Sequence, residues 1–524
     1  MFNQNRVLRG VAAVVSISLV AGCGVFSSSA EAGGPIVVGT TSAPSTLDPA
    51  GSWDGSWELF RNIYQTLLAY PDGATTPQPD AAKSCAFTDS GNRTYHCELR
   101  SGLKFTDGDT LDARAVKYSV DRIRTINAPS GPAGLLGSLD QVQVINDREV
   151  VFHLNKADAT FPFVLATPAM SIVDPEDYPA KSLRRDESAQ GSGPYALKSY
   201  DDGEKAELVR NNDYQGFADR QNDAVTLRYF HDSATMVEAL RSGAIDVTYR
   251  GIAASDIVAL QSYNSSDLQL IDGSGIDINY LVFNPKDPWA RIPAVRKAVA
   301  QVVDRPAIAF RVYRGTVDPL YSMVPAGLTG HTPGYFDTYG DPSTSKARKI
   351  LAAAGITQRV PLTVWYTTDR YGSGTTKEFQ ELKRQLDGSG LFTITLKGRP
   401  WKEFVSGYQK GEYPVFGRGW FPDFPDPDCF ITPFVGDHNA LGTPYPSPVI
   451  TGKLLPDSRS ESDRGEVVED FERAQQILVD DARLIPLWQG RQYIAASDDI
   501  SGGEEALDPS TIMKMWELHR KTSW

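Results

Sequence analysis

"DSATMVEALRSGAIDVTY", Asp232–Tyr249, reads as one structural unit. Asp232 or Ser233 is fit to cap a helix, because a short side-chain oxygen can accept a backbone N–H that the first turn leaves without a partner. Met236, Val237 and Leu240 then recur at helical spacing, Gly243 ends the helix, and Ile245–Tyr249 returns as a strand. That is an αβ unit.

The pattern recurs outward on both sides. Upstream, "PIVVGTT" (Pro35–Thr41) is a β-prone run, and "SWELFRNIYQTLLAY" (Ser56–Tyr70) spaces Leu59, Ile63 and Leu67 as one face of a helix. Downstream, "IPAVRKAVAQVVDRPAIAFRVYRG" (Ile292–Gly315) puts Val295, Val299, Val302 and Val303 on one face. It restarts at Asp304 with Pro306 in the next first turn, buries Ile308 and Val312, and stops at Gly315. "SKARKILAAAG" (Ser345–Gly355) and "TTKEFQELKRQLDGSG" (Thr375–Gly390) are amphipathic helices ending at glycine, the second following the strand "PLTVWYTT" (Pro361–Thr368). A chain of 524 residues exceeds what one hydrophobic core supports. The expected fold is therefore mixed α/β, in several lobes.

A formal charge of −13, with no basic run, argues against nucleic acid or an anionic membrane as the partner surface. At the N-terminus, "MFNQNRVLRGVAAVVSISLVAG" carries Arg6 and Arg9 ahead of an apolar stretch too short to span a bilayer, which is the pattern of an export signal. "LVAGC" resembles a bacterial lipobox, which implies cleavage before Cys23 and lipidation of its thiol. Losing Arg6 and Arg9 takes the formal charge from −13 to −15. Residues 23–35 are small and polar, a flexible tether.

Export places the protein where disulfides persist. Between Cys85 and Cys97 lie two β-prone runs around Asp89-Ser90-Gly91-Asn92, a hairpin signal. Centred on Gly91, the hairpin sets Cys85 opposite Cys97, where a disulfide would contribute about 3 kcal/mol in the chain-entropy account. Cys429, with no histidine or CxxC neighbour, is expected to be a buried thiol.

No local catalytic or metal motif emerges. His96, His153, His231, His331, His438 and His519 are scattered without ligand spacing, and GxSxG, P-loop and dinucleotide signatures are absent, so neither cofactor nor metal is expected. "GWFPDFPDPDCF", Gly419–Phe430, sets Asp423, Asp426 and Asp428 among Trp420, Phe421, Phe424 and Phe430. These aromatics leave water readily, so the stretch is expected to be half buried. An EF-type calcium loop needs glycine at its sixth position and glutamate at its twelfth, and counting from Asp423 finds Asp428 and Phe434 there. That reading fails.

Four stretches in order resemble the extracytoplasmic solute-binding proteins of ABC importers, in the dipeptide/oligopeptide-binding branch (family 5). They are "RTYHCELRSGLKFTDGDTLDARAVKYSVDRI" (Arg93–Ile123), "GSGPYALKSYDDGEKAELVRNNDYQG" (Gly191–Gly216), "YLVFNPKDPWARIPAVRKAVAQVVDRPAI" (Tyr280–Ile308) and "LIPLWQGRQYIA" (Leu484–Ala495). The resemblance implies a periplasmic-binding-protein type II-like α/β fold with two ligand-gripping lobes and an inserted domain. Lobe I would comprise 36–52, 193–280 and 488–524, the additional domain 53–192 and lobe II 281–487. It also implies a monomeric, lipid-anchored receptor on the extracytoplasmic face of the cell membrane. That receptor would capture a small peptide and deliver it to ABC permease subunits without chemistry of its own.

By the same resemblance, Asp423 matches the aspartate that pairs with a peptide's α-ammonium, and Arg370 in "TTDRYGSG" matches an arginine that holds the ligand carboxylate. A fork of donors suits the latter role. Trp420, Phe421 and Trp401 are candidate ligand-touching aromatics, and Asp426-Pro427-Asp428 is read as a structural turn. Two alternatives stay open: the same receptor role for an oligosaccharide, nickel chelate or opine-like solute, and an extracytoplasmic hydrolase using two carboxylates about 5–10 Å apart.

Overall fold

The computed structural model describes residues 34–52, 56–71, 73–262, 267–436, 439–507 and 511–521. The export segment, Cys23, most of the tether and His438 lie outside the described residues. No described helix is long and apolar enough to cross a membrane.

The Asp232–Tyr249 unit forms as its sequence dictates. Asp232 accepts the Thr235 N–H at 2.8 Å and caps the helix Ser233–Arg241, whose Met236, Val237 and Leu240 are buried. The chain then returns as the strand Val247–Tyr249, parallel to Ile36–Thr40. Asp304 likewise caps the helix Arg305–Arg311 through the Ala307 N–H at 2.9 Å, after the helix Pro293–Val302. One expectation is corrected. The helix beginning at Ser56 ends at Ile63 and does not reach Leu67. Beyond it the backbone is taken by tertiary bonds, the Ile63 carbonyl accepting from Gly193 at 3.0 Å and the Gln65 carbonyl from Ile172 at 2.9 Å.

An eleven-stranded mixed sheet runs through the molecule. Its order is Phe392–Arg399, Val360–Thr367, Val415–Trp420, Leu268–Phe283, Leu484–Ser497, Val247–Tyr249, Ile36–Thr40, Ala224–Tyr229, Lys205–Arg210 and Tyr195–Asp201, with Val317–Pro319 paired beside Leu484–Ser497. A second sheet, four antiparallel strands, contains the hairpin Ala82–Phe87/Thr94–Leu99, in which Cys85 faces Cys97 and is joined to it by a disulfide. Cys429 is a buried free thiol. One apolar core draws only on residues between Leu281 and Trp488.

The register decides where a ligand can meet the sheet. Val360–Thr367, Phe392–Arg399 and Val415–Trp420 are mutually parallel, and the last ends at Trp420 opposite Ile278, which itself faces Gln489. From the other side, Val247–Tyr249 ends with Tyr249 opposite Ile494, the residue that also faces Ile271. Both groups of parallel strands thus point their carboxyl ends at one stretch, Asp272–Asp277 with its partner Gln489–Tyr493. Ligands of open α/β sheets gather at such ends. Here the two long strands slip register between Ser274 and Ile278. The slip depends on glycine: a Cβ on Gly490 would lie 2.3 Å from the Asp277 carboxylate, and one on Gly275 would lie 2.7 Å from the Gly490 carbonyl oxygen.

Candidate functional site

The strand Val415–Trp420 delivers Gly419–Phe430 to this convergence. Gly419 is needed because a Cβ would come within 2.8 Å of the Tyr371 ring. After it the side chains divide. Phe421 is 48% exposed, while Phe424 is buried with its ring 5.7 Å from that of Phe163. Trp420 turns to Phe434, ring centroids 5.1 Å apart, and its indole N–H has no hydrogen-bond partner.

The three acids divide in the same way. Asp426 accepts the Asp428 N–H at 2.8 Å and starts the short turn Pro427–Phe430. It also takes a two-pronged grip from Arg464 at 2.8 and 2.9 Å, and Asp428 takes one from Arg459 at 2.9 and 2.8 Å. Burial works against the Asp428 charge, yet Arg459 holds the carboxyl below the usual range; for Asp426 burial wins over Arg464 and the pKa is raised. Both guanidinium forks are thereby committed. Asp423 is 6% exposed, and after burial itself its charge is the largest influence raising the Cys429 thiol pKa.

Arg370, Trp401 and Phe421 are brought together by a residue that sequence reasoning passed over, Tyr371. The Trp401 ring lies edge-on to Tyr371 at 5.8 Å, Tyr371 lies 6.3 Å from Phe421, and its hydroxyl donates to the Gly419 carbonyl at 3.4 Å. Arg370 is exposed, its guanidinium 5.4 Å over the Trp401 ring. Asp369 fixes the loop by accepting the Trp401 N–H at 2.7 Å, where the helix Trp401–Gln409 begins. The available signal was adjacency, since Tyr371 follows Arg370 directly.

A second omission is Arg418. Its guanidinium lies 5.0 Å over Tyr408 and 5.6 Å over Trp420, and it donates to the Ala440 carbonyl. Its Nε has no partner, and no carboxylate pairs with it among the described residues. Aromatic faces offset part of the desolvation of such a cation and leave its charge available. Across the convergence, Arg250 follows the strand Val247–Tyr249 and pairs with Glu58 at 2.8 Å, while burial pushes Asp277 up to about 6.

The family description "bacterial extracellular solute-binding proteins, family 5 (middle)" matches residues 76–442. The chain belongs to this family. Family 5 comprises solute-binding proteins of ABC importers, binding proteins rather than enzymes. The chain is similar to the probable D,D-dipeptide-binding periplasmic protein DdpA of Escherichia coli, 25% identical over 488 residues covering 89% of this chain and 90% of the relative. A dipeptide-binding protein of Pseudomonas aeruginosa is 25% identical over 516 residues, covering 92% and 95%. In fold it resembles the periplasmic binding protein DppA of Helicobacter pylori, solved with peptide STSA. The TM-score is 0.77 at 22% identity, over 93% of this chain and 98% of that one. The family 5 fold of type II periplasmic binding proteins accounts for the mixed sheet and its two long crossing strands.

Proposed function

We propose that this protein is the receptor of an ABC peptide importer, a monomer held at the extracytoplasmic membrane face through a lipid on Cys23. It traps a peptide with a free amino terminus between a lobe of residues 36–52, 193–280 and 488–524 and a lobe of residues 281–487. The observation that carries the reading is Asp423, a buried carboxylate three residues beyond the carboxyl end of the parallel strand Val415–Trp420. An α-ammonium arriving there makes a charge-assisted bond worth about 1.5–3 kcal/mol. Micromolar affinity corresponds to about −8 kcal/mol, so the remainder comes from strand-like backbone bonds and from the Tyr371, Trp401 and Phe421 wall. Arg370 on that wall and Arg418 behind Gly419 are the cations offered to the peptide carboxylate. The peptide-binding names of the relatives support this solute class.

Calorimetry with di-, tri- and longer peptides and their N-acetylated forms tests it. Asp423→Asn should weaken free-amine peptides by about tenfold or more and leave acetylated ones nearly unchanged. Equal loss for both removes Asp423 from this role. Binding confined to sugars, nickel chelates or opine-like compounds overturns the peptide reading.

A further inference from the structure

The tip of the disulfide hairpin Ala82–Phe87/Thr94–Leu99 meets residues that lie 368 and 370 positions further along the chain. Asn92, buried and held in the left-handed region at φ 50°, donates its side-chain amide to the Ser460 carbonyl at 2.9 Å. Its side-chain oxygen accepts the Ser462 hydroxyl at 2.6 Å. The Asn92 carbonyl accepts the Asp158 N–H at 3.1 Å, and the next residue, Ala159, donates its N–H to the Arg459 carbonyl at 2.8 Å. Beside these bonds the Phe163 and Phe424 rings lie 5.7 Å apart.

The Arg459–Ser462 strap is tied on its other side to the acids that follow Asp423. Arg459 grips Asp428, and Arg464 grips Asp426 while donating to the Ser458 carbonyl at 2.6 Å. Buried Asp158 adds a carboxylate charge that favours both guanidinium groups. Hydrogen bonds of this kind contribute modestly net, because water takes each partner's place when the seam opens. Contacts made in one conformation and lost in another are what bias the equilibrium between the two.

We infer that Asn92 and Ala159 are a catch for the closed receptor, engaging Arg459–Ser462 when the cleft is shut and letting go when it opens. This rests on the proposed lobes: Asn92 and Ala159 belong to the additional stretch 53–192, and Arg459–Ser462 to the lobe 281–487. The stretch 53–192 thereby gains a task of its own, setting how long a trapped solute stays. The strap leads through Asp428 and Asp426 to the loop that carries Asp423, so the catch and the proposed ammonium site share one segment.

The test uses Asn92→Gly, which keeps the left-handed turn, Ser462→Ala at an exposed position, and the two combined. Stopped-flow release of a free-amine tripeptide should quicken about threefold to tenfold in each single variant. The double variant should release no faster than Asn92→Gly alone, because both changes remove the same bond. The melting temperature of the ligand-free protein should stay close to the parent's, while that of the peptide-saturated protein falls. Unchanged release, or an equal fall with and without peptide, marks a permanent contact and overturns the proposal. If the parent binds no peptide, the peptide reading fails on its own, and hydrogen exchange of the ligand-free protein decides on the catch. The Ala159 amide should then exchange faster than the strand Val247–Tyr249, and faster still in the double variant; exchange at the strand's rate overturns the proposal.

Discussion

Glu378 shows how a single buried residue can make the stability of an apolar core depend on pH. It is fully buried in the Leu281–Trp488 core, and its Oε2 accepts from the Tyr313 hydroxyl at 2.5 Å and the Trp488 indole at 3.1 Å. Burial outweighs these donors and pushes its pKa up to about 7. The folded state therefore holds this proton more tightly than the unfolded chain does. Its contribution is complete below about pH 4.5 and is lost as pH rises through about 7, by about 3 kcal/mol. Glu378→Gln keeps the shared acceptor and removes the charge. Urea unfolding should find it as stable as the parent at pH 5 and more stable at pH 8; an unchanged pH difference would refute the assignment. Nothing in "TTKEFQELKRQLDGSG" announces this, since Glu378 opens an ordinary amphipathic helix and is buried only by what packs over it.

Among the elements, the slip between the two long strands is where sequence reading was weakest. The helix caps at Asp232 and Asp304, and the hairpin opposing Cys85 and Cys97, were legible because each depends on neighbours in sequence. Gly490 carries no such signal; its constraint is Asp277, brought opposite it by the sheet. Gly490→Val should cost about 1–3 kcal/mol by overpacking and should weaken ligand binding along with stability. Denaturation and calorimetry on the variant measure both. Unchanged stability and affinity in the Gly490→Val protein would show that the crossing strands tolerate a side chain there.

For the whole molecule, the proposed receptor role requires motion. In the proposed receptor, lobes of residues 36–52, 193–280 and 488–524 and of residues 281–487 would close over a solute by bending along Leu268–Phe283 and Leu484–Ser497, whose pairing shifts register between Ser274 and Ile278. Small-angle scattering should show the radius of gyration falling when a bound peptide saturates the protein. No change at saturation would count against closure. The same comparison with Gly490→Val links the element to the motion.

The sequence by itself determined the α/β class, the capped helices, the hairpin and the order of family stretches, because hydrophobic period, capping and turn chemistry act over a few residues. It also marked Asp423 and Arg370 as the residues to watch. Only the tertiary structure separated the three acids. Arg459 and Arg464 lie 31 and 38 residues from the aspartates they grip, and no local pattern pairs them. It alone set Tyr371 among Arg370, Trp401 and Phe421, left Arg418 between aromatic faces, and brought Asn92 to Ser460 and Ser462. Charge and burial are settled by what arrives from elsewhere in the chain, and that is decided when the sheet assembles.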